Sequence, residues 1–301
     1  MTTEIQTSQP NDYRKIKSRN SGQNWFQALV LLAPAAIWLL LLLVLPTLII
    51  IQLSFVSGIK PGDIVNPDGF ENYLRIFDPL YLQVIRRSLL LALATTGICL
   101  LLGFPVAFWI ARMAPKRFRN LLLLAFILPL WTSSLLRSYA WITILRPTGL
   151  LNTVLAYFNL PALDLLNSTK AVLIGMSYSL LPYMVLILYA SLEKLDKRLL
   201  EAASDLGANS IQVFWKVTVP QVFPGIAAAS MLVFITGLGD YVNPELLGGA
   251  ASMTAARLIY NQFLGAAQNW GFGSALSTVL ILLVSLGIAF LIKLGGATPE
   301  K

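Results

Sequence analysis

Six stretches, each of twenty or more mainly apolar residues, leave this chain few ways to fold. They run from about Phe26 to Phe55, Leu89 to Ile110, Leu121 to Leu145, Ala171 to Ala190, Pro220 to Gly239 and Ser274 to Leu294. At about 1.5 Å per helical residue, each is long enough to cross a hydrocarbon core of about 30 Å. Lipid supplies no partners for backbone N–H and C=O groups, so apolar runs of this length cross it as helices. The sequence therefore predicts an all-α, polytopic membrane protein with six transmembrane helices. The charge content agrees: 12% of the 301 residues are charged, against about a quarter in soluble domains.

The first run is too long for a signal-peptide core, and no small-residue cleavage pattern follows it. It is expected to stay as an anchor, kinked at Pro34 and Pro46. Ala, Gly and Ser dilute the fifth run, which suits a helix packed closely against others. Residues 57–83 read as an external loop carrying a short surface helix, FENYLRIF. The piece SMTAARLIYNQFLGAA reads as a second external helix, capped by Ser252.

Lysine and arginine set the orientation. With both termini cytoplasmic, the inner segments hold fourteen basic residues and the outer loops seven, while the acids divide seven and seven. Residues 1–25 then form a basic cytoplasmic tail, 26–296 the transmembrane domain and 297–301 a second cytoplasmic tail. Loops flanking the spans account for the net charge of +8, so no nucleic-acid partner is expected. The chain has no histidine, which excludes HExxH zinc chemistry and histidine-dependent nucleophiles. The single Cys99 can form neither an internal disulfide nor a cysteine metal cage. No GxxxxGK[ST] phosphate loop occurs. The chain is thus expected to bind no metal or cofactor, to be no enzyme itself, and to leave any ATP hydrolysis to another subunit.

One polar interruption has a pattern of its own: EAASDLGANSIQVFWKVTVP, Glu201–Pro220. Leu195, Leu199, Leu200, Ala203 and Leu206 recur at helical spacing, and Gly207 supplies the left-handed residue that closes a helix. Asn209 or Ser210 can cap a second short helix over Ile211–Thr218, and Pro220 suits the first turn of the next span. A helix–Gly–helix elbow at a membrane surface is a docking device. Ala202 and Ala203 keep it thin. Glu201 and Asp205 lie four residues apart on one face, available to a partner's basic groups, to the local Lys197 and Arg198, or to water.

Counted from Glu201, the glycine is seventh; nine residues follow, then Val217, Val219 and Pro220. This resembles the EAA signature of ABC importer permeases, EAA-x3-G-x9-I-x-L-P, with valine at both aliphatic positions. The likeness extends over nearly the whole chain from about residue 30. PLWTSSLLRSYAW (Pro129–Trp141), SYSLLPYMVLILYASLEKLDKRLLEAASDLGA (Ser177–Ala208) and GDYVNPELLGG (Gly239–Gly249) resemble the spermidine/putrescine branch, and within it the first of the two permease subunits. The resemblance implies a type I ABC importer permease (MetI-like) fold in a bacterial plasma (inner) membrane. It also implies a second homologous permease, two ATPase subunits that use ATP and Mg, and an external or periplasmic substrate-binding protein. Glu201, Ala202, Ala203, Asp205, Gly207 and Pro220 would then form the ATPase-docking elbow, drawn inward when ATP closes the ATPase dimer. Related permeases for iron, opines or amino acids share much of this pattern. A secondary transporter or channel is the alternative from another class, but a proton-coupled carrier needs mid-membrane carboxylates, and no span holds one away from its ends.

Arg137 is the one clear charge inside a span. A charge there costs at least about 2.5–3.5 kcal/mol on insertion scales, so it should face protein or water. It can snorkel outward, form an ion pair with Asp240 or Glu245, or meet an anionic substrate. Asp240 and Glu245, with Tyr241, have the chemistry a cationic amine wants, namely carboxylates for ammonium and a ring face for the charge. Trp131, Tyr139 and Trp141 can extend such a wall. Against this, Tyr and Trp belong at membrane interfaces anyway, and an Asp before a helix break is ordinary.

Overall fold

A computed structural model describes residues 21–57, 69–249, 252–265 and 267–295, and the side chains from residue 30 to residue 289 within these. The expected tails, apart from residues 21–25, and the middle of the first external loop lie outside the described residues. Among the described residues there are helices and no strands. The chain divides into two units, Met1–Gln52 and Leu53–Lys301.

In the first unit, α1 (Ser21–Leu39) passes through a π-helical turn (Leu40–Val44) into α2 (Leu45–Leu53), whose last residue is the first of the second unit. Pro34 lies inside α1, which continues through it. Pro46 has no N–H to offer Leu42, and the register widens just ahead of it, where the Leu45 N–H reaches the Leu40 carbonyl. The Thr47 hydroxyl takes up the Leu43 carbonyl at 2.7 Å. Leu31 is 84% exposed, as suits a helix whose surroundings are lipid.

The second unit opens with α3 (Glu71–Ile76), the short helix expected in the first loop. Then α4 (Pro79–Arg112) begins ten residues before the expected span. Asp78 accepts the Leu80 N–H at 3.0 Å and Pro79 occupies the first turn, a start signal stronger than the polarity of Arg86 and Arg87 that follow. The core is a three-helix packing of α4 with α8 (Thr169–Glu193) and α11 (Val219–Leu238). Cys99, Ala107, Met184, Leu188, Ala229 and Val233 are buried where they meet. Between helices in lipid the hydrophobic effect gives little, so close approach and dispersion decide the packing. Gly225 shows how close: a Cβ there would overlap the Ser191 side chain. The remaining long helix, α14 (Trp270–Gly295), buries Phe272 against Tyr81 at 4.8 Å, with the Arg75 guanidinium over the Phe272 ring.

The third apolar run is not one straight helix, which corrects the expectation. It forms α5 (Lys116–Ile127), a 3₁₀ turn (Leu128–Trp131) and α6 (Ser134–Leu145), followed by α7 (Leu150–Tyr157). The two halves meet at 94°. Thr132 and Ser133 are extended, and Pro129 lies in the turn. Among the described residues, five helices are long and apolar enough to cross a membrane, and six spans result if the bent pair counts as one.

Candidate functional site: the elbow and the Asp240 turn

Past α8, Asp196 accepts the Arg198 N–H at 3.0 Å and so caps α9 (Lys197–Asp205). Gly207 then takes φ +85°, the left-handed turn that glycine adopts at no steric cost. Asn209 accepts the Gln212 N–H at 2.8 Å while Gln212 Oε1 accepts the Asn209 N–H at 3.0 Å. This reciprocal capping box opens α10 (Ser210–Val213). The expected separate helix over Ile211–Thr218 is instead continuous with the fifth span. A π turn (Phe214–Thr218) joins α10 to α11: Pro220 cannot give an N–H to Lys216, and just ahead of it the Val219 N–H reaches back to the Phe214 carbonyl.

The elbow is fastened to the bundle. Phe214 meets the rings of Phe104 and Phe108 edge-on at 5.6 and 5.9 Å. Arg112, at the end of α4, donates from Nη2 to the Leu192 and Leu195 carbonyls, both at 2.9 Å, closing the end of α8. Arg119 donates to the Ala111 carbonyl at 2.9 Å and approaches Glu193 at 3.8 Å, and the Tyr189 hydroxyl donates to Glu193 at 2.7 Å. What projects from this base is both acidic and apolar. Glu201, Ala202, Asp205, Gly207 and Pro220 are exposed, and Ala203 is half-buried. Leu206 is 89% exposed, Ile211 71% and Trp215 64%. Neither Glu201 nor Asp205 forms an ion pair among the described residues.

Twenty residues of α11 carry the chain about 30 Å to the other end of the bundle. There Asp240 accepts the backbone N–H groups of Val242 and Asn243 at 3.0 and 3.2 Å and starts α12 (Val242–Leu247). Its other oxygen accepts the Asn243 amide at 2.6 Å, and Asn243 Oδ1 accepts the Ser138 hydroxyl at 3.1 Å. Asn243 is buried, and Gly175 makes room for it: a Cβ there would lie 2.7 Å from Asn243 Oδ1. Burial pushes the Asp240 carboxyl above the ordinary carboxylate range, while the bonds from Asn243 and Val242 and the Arg137 charge pull it back part of the way.

The expected ion pair of Arg137 with Asp240 or Glu245 does not form among the described residues. Arg137 instead donates to the Pro129 carbonyl at the helix break, which also accepts the Thr132 N–H at 3.3 Å and the Thr132 hydroxyl at 2.7 Å, so the charge stabilises the bend of its own segment. Glu245 pairs with Arg257, whose guanidinium also meets the Pro244 and Gly249 carbonyls. Tyr241 stacks on Tyr260 at 4.6 Å, on α13 (Ala255–Phe263). That helix is capped by Thr254, whose hydroxyl accepts the Arg257 N–H at 3.3 Å. Ser252, the expected cap, lies too far upstream and pairs with the Thr169 hydroxyl at 3.2 Å. Trp131 and Tyr139 are exposed and stack on no other ring among the described residues. Sequence reasoning missed Asn243, Ser138 and Arg257. Only the Asp-x-x-Asn spacing ahead of a helix hinted at the first.

The profile of the family described as binding-protein-dependent transport system inner membrane component matches residues 103–294. The chain belongs to that family. Both the elbow and the Asp240 turn lie within the matched region of this permease. It is 42% identical over 251 residues to the spermidine/putrescine transport system permease protein PotB of Haemophilus influenzae, with 83% of this chain and 87% of that protein covered. It is 40% identical to PotB of Escherichia coli K12, with 83% and 90% covered. Among solved structures, the permease resembles a bacterial ABC transporter that imports the acidic polysaccharide alginate. The TM-score is 0.70 at 21% identity, covering 96% of this chain and 99% of that one, and it shows the type I ABC importer permease fold.

Proposed function

We propose that this permease forms half of a polyamine pathway and is driven through its elbow by a separate ATPase. The observation that carries the substrate is the 40–42% identity to permeases of spermidine/putrescine systems over 83% of the chain. The elbow supports the coupling. Leu206, Ile211 and Trp215 are a hydrophobic surface wanting cover, and Glu201 and Asp205 beside them suit a groove with basic groups. In this reading a second homologous permease completes the pathway, and an external or periplasmic binding protein delivers the substrate. Two ATPase subunits use ATP and Mg, and this chain binds no cofactor. Both termini lie in the cytoplasm, on the side where basic residues are in excess. The transmembrane domain covers 26–296, with coupling helices about 195–219. Asp240, Tyr241, Glu245, Trp131 and Tyr139 are the candidate pathway residues, Trp131 and Tyr139 being the most open of them.

The test is uptake of labelled spermidine by vesicles that hold the chain with its partner permease, ATPase and binding protein. Uptake is expected only with ATP and all partners present. Transport of spermidine by this chain alone, down a gradient, makes it a channel and refutes the coupling. Uptake of another solute, with spermidine excluded, refutes the substrate. Glu201→Lys is expected to lower ATPase co-purification and uptake while membrane insertion is unchanged.

A further inference from the structure

The seam between α4 and α8 carries a groove apart from the elbow and the Asp240 turn. On α4, Arg86, Leu90, Ala94, Ile98 and Leu102 recur every fourth residue and so share a face. On α8, Thr169, Leu173, Ser177 and Leu181 do the same. Two cavities open along this seam. The first, ≈ 320 Å³, has Gln83, Arg86, Arg87 and Thr169 at its mouth and Leu90 and Ala94 below. The second, ≈ 330 Å³, continues between Ile98, Leu102, Tyr178 and Leu181. Leu173 borders both, so they lie end to end. From Arg86 to Leu102 the seam descends about 24 Å, most of the thickness of a hydrocarbon core.

We propose that this seam holds one anionic phospholipid, with its phosphate at Arg86, Arg87, Gln83 and Thr169 and an acyl chain laid along the groove. The polarity of the groove is that of the lipid: cations, an amide and a hydroxyl at one end, hydrocarbon along the rest. The walls open to the surroundings, since Leu90 is 59% and Leu102 51% exposed. The mouth repels a polyamine, and neither cavity is lined by a carboxylate. Arg86 also differs from the arginines at the helix ends. Arg112, Arg119, Arg137 and Arg257 each donate to a backbone carbonyl, whereas exposed Arg86 makes no such bond among the described residues. The proposal needs only that α4 and α8 cross the membrane, not that polyamines are the substrate.

The full-length chain, purified in mild detergent and exchanged against phosphatidylglycerol or phosphatidylcholine, can be examined by native mass spectrometry for retained lipid. Phosphatidylglycerol should be retained in preference to phosphatidylcholine. With a basic residue near an anionic surface worth roughly fivefold, the double variant Arg86→Gln/Arg87→Gln should reduce that preference by roughly 25-fold. Ala94→Trp should expel both lipids by filling the groove, and glycerol 1-phosphate, a headgroup without a chain, should displace neither. Unchanged phosphatidylglycerol retention in the double variant overturns the proposal, and that variant changes only the groove mouth, so it carries the test even where Ala94→Trp aggregates. Displacement by glycerol 1-phosphate reduces the seam to a simple anion site. Loss of association with a second permease chain at unchanged lipid retention makes it a protein interface. Both of these outcomes also overturn the proposal. Spermidine uptake enters none of these readings, so failure here is distinct from failure of the import assignment.

Discussion

Arg112→Gln asks how firmly the elbow is held to the membrane helices. Arg112 Nη2 donates to the Leu192 and Leu195 carbonyls at 2.9 Å each, where α8 ends and the Leu192 carbonyl keeps only the short-range N–H groups of Lys194 and Leu195. Hydrogen bonds from a charged group contribute about 1.5–3 kcal/mol each. Two discounts apply: water can reach carbonyls at a helix end, and Arg112 Nε is itself buried without a partner, so the native arrangement is already imperfect. The net loss should then be about 2–3 kcal/mol, since the two bonds share one nitrogen and are not additive. At about 2–4 °C per kcal/mol for a domain of this size, the purified chain should melt about 5–10 °C lower, as followed by tryptophan fluorescence or by size exclusion after heating. In the assembled importer the same variant should hydrolyse ATP while uptake falls, because α4 is no longer tied to the end of α8 from which the elbow leaves. A melting curve superimposed on the wild type would refute the reasoning and reduce Arg112 to a lipid-facing charge.

Gly207 has φ +85° and nothing within 4 Å of a built Cβ, so backbone strain alone opposes replacement. Gly207→Ala should cost about 1–2 kcal/mol and weaken ATPase co-purification, and Gly207→Asn, which tolerates that conformation, should do less harm. Gly225→Ala should disrupt the α8–α11 packing seen by thermal melting, with recovery in Gly225→Ala/Ser191→Gly, because the overlap is with the Ser191 side chain. Asp240 binds its proton more tightly in the folded state than in the unfolded chain, so stability should fall as pH rises from the ordinary carboxylate range through the raised value. That slope should vanish in Asp240→Asn.

The parts of the fold legible in the sequence are those where one residue type has one physical use. Gly207 reads as a left-handed stop and Asn209 or Ser210 as a cap, so the elbow emerges with its turn in place, while the choice of Asn209 and its partner Gln212 came with the structure. The bend of the third run was hidden because apolar content averages over it. Leu128, Leu130 and Trp131 are as hydrophobic as a straight span requires, and Pro129 alone is tolerated inside many membrane helices. What breaks the helix is Pro129 followed by two extended residues, with Arg137 donating to the Pro129 carbonyl. That is a contact across eight residues which no periodicity encodes. The Asp240 turn was half legible. Its carboxylate was visible, but its use on Asn243 depends on α6 and α8 arriving with Ser138 and Gly175, a meeting of segments far apart in the chain.

The arginines of this permease separate into two kinds, and a lysine series distinguishes them. Arg112, Arg119, Arg137 and Arg257 sit where helices end or break, and each spends its guanidinium on backbone carbonyls at those ends. In Arg112 and Arg257 one nitrogen, its N–H directions fixed by the planar guanidinium fork, meets two carbonyls, whereas an ammonium on a shorter, flexible stem is a point charge with no fixed donor directions. Lysine at Arg112 or Arg257, which each meet two carbonyls, should therefore cost about 1–2 kcal/mol, one bond of the pair. Lysine at Arg137, which meets one carbonyl, should cost less. At Arg86 the need is for positive charge beside an apolar groove, and phosphate accepts a point charge as well as a fork. Arg86→Lys should then leave both melting and phosphatidylglycerol retention unchanged. If Arg112→Lys melts with the wild type while Arg86→Lys loses the lipid, the division is reversed: the charges at the helix ends serve as simple counter-ions, and the groove mouth needs the geometry of the fork.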